Sequence, residues 1–196
     1  ERIKKRTDAG TSLPFVELSI EDNTGKITNN PNSIGEIVVR APWATVGYLC
    51  NQEKSKVLWH NGYLHTQDIG SIGNNGILEV YDRMPDVIKS GNEWVSSSAL
   101  ESVICNIDGI SEVAVVAMPD PKWVERPYAL VVLEDGEKLD KEDIRIHLQR
   151  FVDKGVLSRW AIPKQIDIIS EIPKTKAGKI NKKVIRLSLV DSMDKK

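Results

Sequence analysis

The fold is decided by the stretch Val113-Ala114-Val115-Val116-Ala117-Met118, a continuous apolar run that Pro119 ends. A second apolar run covers residues 128–133, and a third covers residues 166–169. Apolar residues at helical spacing precede the first run, and a helix that Asp140 can cap follows the second. This alternation predicts a small α+β domain in which a three-stranded sheet packs against helices.

Three helices are expected around this sheet. Ser98 and Glu101 form a capping-box pattern at the start of the first helix, whose apolar spacing continues to Ile107. The second helix begins after Asp140, and the third covers residues 181–189. The inward-facing stripe of the second helix is expected to contain Ile144, Leu148, Phe151 and Val152.

The chain before residue 85 has a different pattern, made of strands and turns. Residues 15–20 and 35–40 are expected to be strands, and residues 70–80 a hairpin around Asn74-Asn75-Gly76. Residues 52–58 are the one stretch with helical character. Such a segment could be the edge of a β-barrel, but strands with no partner sheet would not make a stable domain alone.

Composition and charge indicate an ordinary soluble domain. Of the 196 residues, 40% are hydrophobic and 28% charged, and the net charge is −1, so no electrostatic attraction to nucleic acid or anionic membrane is expected. No apolar stretch approaches the ~20 residues that a membrane span needs. Cys50 and Cys105 are far apart and indicate a reducing, cytoplasmic location. The three histidines lack zinc-site spacing, so no metal site is predicted.

A glycine turn rich in cations lies near the C-terminus, at Pro173-Lys174-Thr175-Lys176-Ala177-Gly178-Lys179. Gly178 lets the backbone approach a ligand closely, and Lys179 beside it carries a mobile ammonium suited to an anionic oxygen. A solvated basic tail is the alternative interpretation.

An acid and a base further upstream can converge on one point. Asp68 follows Thr66 and Gln67, and Arg83 comes about fifteen residues later, across the expected hairpin. A carboxylate and a guanidinium in that arrangement can bind both hydroxyls of a ribose. An exposed ion pair is the simpler interpretation, and the loop from Lys89 to Gly91 would then be an ordinary turn.

Together these stretches resemble the C-terminal part of the adenylate-forming superfamily, which includes acyl-CoA synthetases, peptide-synthetase adenylation domains and beetle luciferase. The resemblance covers almost the whole chain and is closest to medium- and long-chain fatty-acyl-CoA synthetases. It depends on motifs in the family's order: Gly35-Glu36-Ile37 with Gly47-Tyr48-Leu49, Thr66-Gln67-Asp68, Asp82-Arg83 through Gly91, Pro119 through Pro127, and Pro173 through Lys179.

The resemblance implies a two-step reaction. A carboxylic acid, here a fatty acid, attacks ATP with the help of Mg²⁺ to form an acyl-adenylate and pyrophosphate, and coenzyme A then displaces AMP after a domain rotation. Lys179 would catalyse the first step, and Lys89 would face the site after the rotation. The ribose would be held by Asp68 and Arg83. Two further roles are implied: Ser90 and Gly91 would bind coenzyme A, and Pro85 and Asp86 would form the hinge.

Several positions differ from the family's pattern. Gln67 and Val124 stand where the family usually has glycine, and Asn92 replaces the second glycine of its loop. Pro85 occupies the hinge, where proline fixes φ and leaves rotation to ψ and to neighbouring bonds.

The phosphate loop, the adenine motif and the acyl pocket of the family would all precede this region. Residues 1–84 are therefore expected to end the large domain and residues 85–196 to form the whole mobile domain. The chain alone is expected to be inactive, and the parent protein to be an enzyme. Two alternatives remain: an adenylation domain that loads a carrier protein, and a non-catalytic binding module of the same fold.

Overall fold

The structure is a computed structural model that describes residues 9–91 and 93–193. The chain divides into two compact units, and the division falls between Pro85 and Asp86. Each unit has its own sheet and its own apolar core. None of the described helices is long and apolar enough to cross a bilayer.

In its described residues, 9–85, the first unit is a six-stranded sheet with one short helix. The elements are β1 (Glu17–Glu21), β2 (Ile27–Thr28), β3 (Gly35–Arg40), α1 (Gln52–Leu58), β4 (Trp59–His60), β5 (Tyr63–Ile72) and β6 (Leu78–Arg83). The strands pair antiparallel in the order β2-β1-β3-β5-β4, and β6 also pairs with β5. The predicted helix and hairpin are both present.

Two tight turns set the position of β5. Asn61 and Gly62, with φ of 52° and 78°, form the two-residue link from β4. Both residues are left-handed, as a type I′ hairpin requires, so the Asn-Gly pair selects this turn. Gly76 provides the same backbone freedom in the link to β6. The buried apolar side chains of this unit include Ile20, Ile37, Val38, Leu58 and Ile69.

The second unit contains a five-stranded sheet rather than the three-stranded one that the sequence predicts. The three predicted strands are β9 (Ile110–Asp120), β10 (Val124–Leu133) and β11 (Gln165–Ile168). A short hairpin, β7 (Ile88–Ser90) with β8 (Glu93–Val95), adds the other two by pairing with the start of β10. Three-residue strands carry too little alternation to be recognised in a sequence.

Both faces of this sheet are buried, which explains why β9 and β10 contain the continuous apolar runs 113–118 and 128–133. Val113 and Val115 pack into one core with Leu100, Ile104 and Ile144. The alternate residues Ala114 and Val116 pack into a second core on the other face. Each large apolar side chain buried in these cores contributes about 1.5–3 kcal/mol.

The helices correct two details of the sequence prediction. The helix α2 (Ser97–Cys105) is capped by Ser96, whose hydroxyl accepts from the N–H of Ala99, and not by Ser98. Glu101 instead accepts from the N–H of Val115 on β9. The last helix α4 (Lys182–Met193) is longer than predicted, and α3 (Lys141–Asp153) has the predicted Asp140 cap. A 3₁₀ turn covers Arg159–Ala161.

Candidate functional site

The Thr66-Gln67-Asp68 motif forms a β-bulge in the first unit. Glu36 lies opposite Ile69 while Val38 lies opposite His65, so the three motif residues stand against Ile37 alone. The Thr66 hydroxyl donates to the Ile37 carbonyl at 2.7 Å and accepts from the Asp68 N–H at 3.1 Å. A bulge redirects side chains away from the regular pleat, and this one positions Asp68.

Asp68 and Arg83 are brought together, as the sequence predicts. They are direct partners across β5 and β6, and Arg83 Nε lies 3.7 Å from Asp68 Oδ1. The Arg83 side chain is 78% exposed and that of Asp68 37% exposed. An ion pair this exposed contributes little to stability. The same exposure leaves both side chains accessible to a polar ligand.

A cleft beside the bulge has a volume of about 480 Å³. Pockets of that size hold small-molecule ligands. Tyr48 belongs to the Gly47-Tyr48-Leu49 motif, so its place in the cleft gives that motif a structural role that sequence reasoning did not assign. The cleft is lined by Thr45, Gly47, Tyr48, Leu58, Leu64, His65, Thr66, Gln67, Arg83 and Pro85.

The second unit holds the glycine loop on its β7–β8 hairpin. Gly91 has φ of 63°, and its N–H donates to the Trp123 carbonyl at 2.8 Å. A Cβ on Gly91 would lie 3.3 Å from the Trp123 ring, so backbone conformation and close packing both favour glycine. Asn92 lies outside the described residues.

The neighbours of Gly91 have different environments. The Ser90 side chain is fully buried, and its hydroxyl has no partner among the described residues. Any contact of Ser90 with an outside ligand would therefore come from its backbone. Lys89 is exposed, and its Nζ lies 4.5 Å from the centre of the Trp94 ring.

The Lys179 turn is closed by its own backbone. The Thr175 N–H donates to the Lys179 carbonyl at 2.7 Å, and the Gly178 N–H donates to the Thr175 carbonyl at 2.9 Å. Gly178 has φ of 78°, with open space where a Cβ would stand. Lys179 is exposed, and no carboxylate of the described residues forms an ion pair with it. A rigid turn thus presents an accessible ammonium.

A carboxylate that sequence reasoning missed supports the glycine loop. Asp120 Oδ1 accepts from the N–H groups of Lys122 and Trp123, at 3.0 and 3.1 Å. Its Oδ2 pairs with Lys164 Nζ at 2.7 Å. The Lys164 ammonium, and next the Lys122 N–H, lower the pKa of the Asp120 carboxyl below its ordinary value. Because Trp123 contacts Gly91, this ion pair also positions the loop.

Two of the residues that replace family glycines occupy left-handed backbone. Gln67 has φ of 61° and Val124 has φ of 69°. At the sequence position of the predicted hinge, Asp86 Oδ1 accepts from Arg186 Nη1 at 3.0 Å, which ties Asp86 to α4. That tie joins residues one hundred positions apart, so the sequence carries no sign of it.

Residues 99–179 match the family described as the AMP-binding enzyme C-terminal domain. The chain belongs to the adenylate-forming superfamily. It is 37% identical over 188 residues to a long-chain-fatty-acid–CoA ligase of Thermus thermophilus, covering 95% of this chain and 34% of that ligase. The chain therefore spans about a third of the length of this curated relative.

Solved structures agree with this assignment. An amide bond synthetase from Marinactinospora thermotolerans is 31% identical, with a TM-score of 0.77, and the match covers 94% of this chain and 37% of that one. An o-succinylbenzoate CoA synthetase from Bacillus subtilis, solved with an acyl-adenylate intermediate, is 27% identical, with a TM-score of 0.79. That match covers 94% of this chain and 36% of the synthetase. The relatives thus share the fold and differ in the acids and acceptors that their names give.

Proposed function

We propose that this chain is the C-terminal part of an AMP-forming acyl-CoA ligase that acts on fatty acids. The observation that carries the proposal is the Asp68–Arg83 pair, which stands in register on neighbouring strands and remains open to solvent. A carboxylate can accept from the two hydroxyls of a ribose while a guanidinium donates to them. The two groups would hold the ribose of ATP and then of the acyl-adenylate.

In the first step, a carboxylate oxygen of the acid attacks the α-phosphorus of ATP. The bond from that phosphorus to the bridging oxygen breaks, and pyrophosphate leaves. Two anions must approach each other, so an ammonium that contacts both lowers the barrier. Lys179 would supply it, and at ~4 Å with an effective dielectric near ~20 the attraction is on the order of 4 kcal/mol before desolvation costs.

In the second step, the thiol of coenzyme A loses its proton and its sulfur attacks the acyl carbonyl carbon. The bond from that carbon to the phosphate oxygen breaks, and AMP leaves. The Gly91 loop would lie along the pantetheine arm, because a residue without a side chain allows close backbone approach. Lys89 would reach the site in this step, and in doing so its ammonium would leave the Trp94 ring.

Mg²⁺ would enter with ATP as part of the substrate. The ion prefers carboxylate and phosphate oxygens, and the residues that line the described cleft include no carboxylate. This cleft does not fit Mg²⁺, so we assign no step to a metal held by these residues.

The units would act as parts of two domains, with residues 1–84 ending the large one and residues 85–196 forming the mobile one. Rotation between the two steps would move Lys179 away from the reacting atoms and bring the Gly91 loop to the pantetheine arm of coenzyme A. We place the enzyme in the cytoplasm, since Cys50 and Cys105 are both exposed free thiols, which persist in a reducing compartment.

The fatty acid is proposed from the similarity to the Thermus thermophilus ligase. The test is to purify the full-length protein and to supply ATP, coenzyme A and a panel of acids that includes saturated fatty acids, o-succinylbenzoate and cinnamate. We expect acyl-CoA thioesters and AMP from the fatty acids. Turnover of the aryl acids alone would contradict the substrate, and products with amines but not with coenzyme A would favour an amide synthetase.

The same assay applied to residues 1–196 alone is expected to show no ATP-dependent turnover, because Asp68 and Arg83 would supply only the ribose end of the site. Calorimetry that detected micromolar ATP binding by this chain would instead favour an independent nucleotide-binding module.

A further inference from the structure

Two glutamates lie directly opposite each other in the sheet of the first unit. Glu21 on β1 pairs in register with Glu36 on β3, and their side chains are only 9% and 12% exposed. Like charges at opposed positions destabilise a sheet, and burying carboxylates is costly without compensating charge. A positive charge close to both carboxylates would remove that cost.

His65 on β5 lies next to both acids. Its Nδ1 is 2.9 Å from Glu36 Oε2 and 3.2 Å from Glu21 Oε2. One N–H can donate well to only one of them, and Glu36 is the nearer. The ring is 3% exposed, and its other nitrogen, Nε2, is buried without a partner among the described residues. A buried nitrogen of this kind is costly unless it binds something.

His60 contacts Glu21 and His65 and is itself half exposed to solvent. The Asn61-Gly62 turn places it at the end of β4, with Nε2 3.4 Å from Glu21 Oε2 and the side chain 47% exposed. Its ring stacks on that of His65, with the centroids 3.2 Å apart and the planes 12° apart.

We propose that Glu21, His60 and His65 form a binding site for a divalent transition-metal ion, with Zn²⁺ favoured by the donors. One ligand atom of each residue lies within 4.8 Å of a ligand atom of each of the other two. A tetrahedron with zinc–ligand bonds of about 2.0–2.2 Å has edges of about 3.4 Å, so the ligand atoms must move closer together, chiefly by rotation of the exposed His60 side chain. Imidazole suits this class of metal, and three protein ligands leave a fourth position for water.

Glu36 is a positioning residue in this site. It accepts from His65 Nδ1, which leaves Nε2 for the ion, as in the common carboxylate–histidine–metal arrangement. Its other oxygen accepts from the Gln67 N–H at 2.8 Å, so the site is connected to the bulge that carries Asp68. For both rings to face one ion, the exposed His60 ring must turn out of the stack. The histidine spacing in the chain gives no sign of the site, because Glu21 comes from a distant strand.

The experiment is calorimetric titration of Zn²⁺ into the purified full-length protein after treatment with a chelator. We expect one equivalent to bind, a rise in the melting temperature, and visible absorption typical of tetrahedral coordination when Co²⁺ replaces Zn²⁺. His60→Gln should lose at least tenfold in Zn²⁺ affinity, and because His60 is half exposed this variant should fold. Glu36→Gln should lose about 10–100-fold, the usual effect of removing such a partner.

Two matched controls exclude other zinc ligands. His147→Gln removes the histidine of α3, and Cys50→Ser removes an exposed thiol of the same unit. Both variants should bind Zn²⁺ as the wild type does. The proposal is overturned if the chelated protein binds no stoichiometric Zn²⁺, if His60→Gln binds it unchanged, or if either control abolishes binding.

Discussion

At the scale of single residues, Gln67 and Val124 are held in backbone conformations that suit glycine. The left-handed region brings Cβ close to the neighbouring carbonyl, which costs roughly 1–2 kcal/mol for an ordinary residue. A β-branched residue such as Val124 is a particularly poor fit there. Val124 nevertheless pairs with both Ser90 and Asp120, so the surrounding strands impose its conformation.

Val124→Gly should therefore stabilise the protein. The side chain is 67% exposed, so little buried area is lost, and relief of strain should exceed the extra flexibility of glycine in the unfolded chain. We expect a gain of up to about 1 kcal/mol in the free energy of unfolding, measured by urea denaturation.

Val124→Ala is the matched control, because alanine also shortens the side chain but keeps the Cβ. It should be less stable than Val124→Gly. If the glycine variant is no more stable than the alanine variant, the strain at this position is not significant.

The sequence indicated these two positions only through the resemblance, which implies glycine at both. The backbone angles supply the physical reason for a glycine there. No local pattern predicts a positive φ at a glutamine or a valine, since such a conformation is imposed by strand pairing at a distance.

At the scale of elements, the turn between β9 and β10 depends on the ionised Asp120 carboxylate. Three donors, two from the backbone and one from Lys164, favour its charged form. The lowered pKa means that the unfolded chain binds a proton at Asp120 more readily than the folded one. Asp120 therefore stabilises the fold above the ordinary aspartate pKa of about 3.9. That contribution is lost as the pH falls through the lower pKa of the folded state.

Asp120→Asn should lower stability at neutral pH and flatten the pH dependence below about pH 4. Asparagine can still accept from the backbone but cannot form the ion pair with Lys164. Urea denaturation of the wild type and the variant across pH 2–7 measures both effects.

Asp153→Asn, at the end of α3, is the control and should follow the wild-type profile. An Asp120→Asn profile parallel to that of the wild type would mean that this carboxylate does not contribute to acid sensitivity.

Long elements could be predicted from the sequence and their connections could not. The apolar runs of β9 and β10 and the stripe of α3 determine their own type, because periodicity carries that information. The cap of α2 was misplaced by two residues, since Ser96, Ser97 and Ser98 offer equivalent hydroxyls to a local pattern. Glu101 was assigned to the cap because its true partner, the N–H of Val115, comes from another element.

At the scale of the whole molecule, the proposed reaction requires the two units to change their orientation. Asp86 is tied to Arg186 on α4, and Pro85 has a fixed φ. We therefore place the pivot at ψ of Pro85 and at the backbone torsions of Asp86. Arg83, which precedes both, would stay on the ribose throughout.

Pro85→Gly in the full-length enzyme should change the rate of the thioester step more than that of adenylation, because glycine widens the range of orientations. Single-turnover measurement of each half-reaction tests this. Unchanged rates of both, together with identical torsions at residues 85 and 86 in structures of the two states, would exclude this pivot.

Some parts of the candidate sites could be predicted from the sequence and others could not. The Asp68–Arg83 pair follows from a hairpin that the sequence indicates, whereas the Asp120 turn and the Glu21–His60–His65 group depend on partners from separate strands. Such sites become visible only when the sheet is assembled.

We propose above all that this chain supplies the lysine of an adenylating enzyme. The most direct measurement is exchange of labelled pyrophosphate into ATP by the full-length protein with its acid substrate. Lys179→Ala should reduce this exchange by at least a hundredfold yet form thioester at near wild-type rate from supplied acyl-adenylate. Lys176→Ala, which removes another exposed ammonium from the same turn, should retain the exchange. Exchange at near wild-type rate in Lys179→Ala would contradict the account.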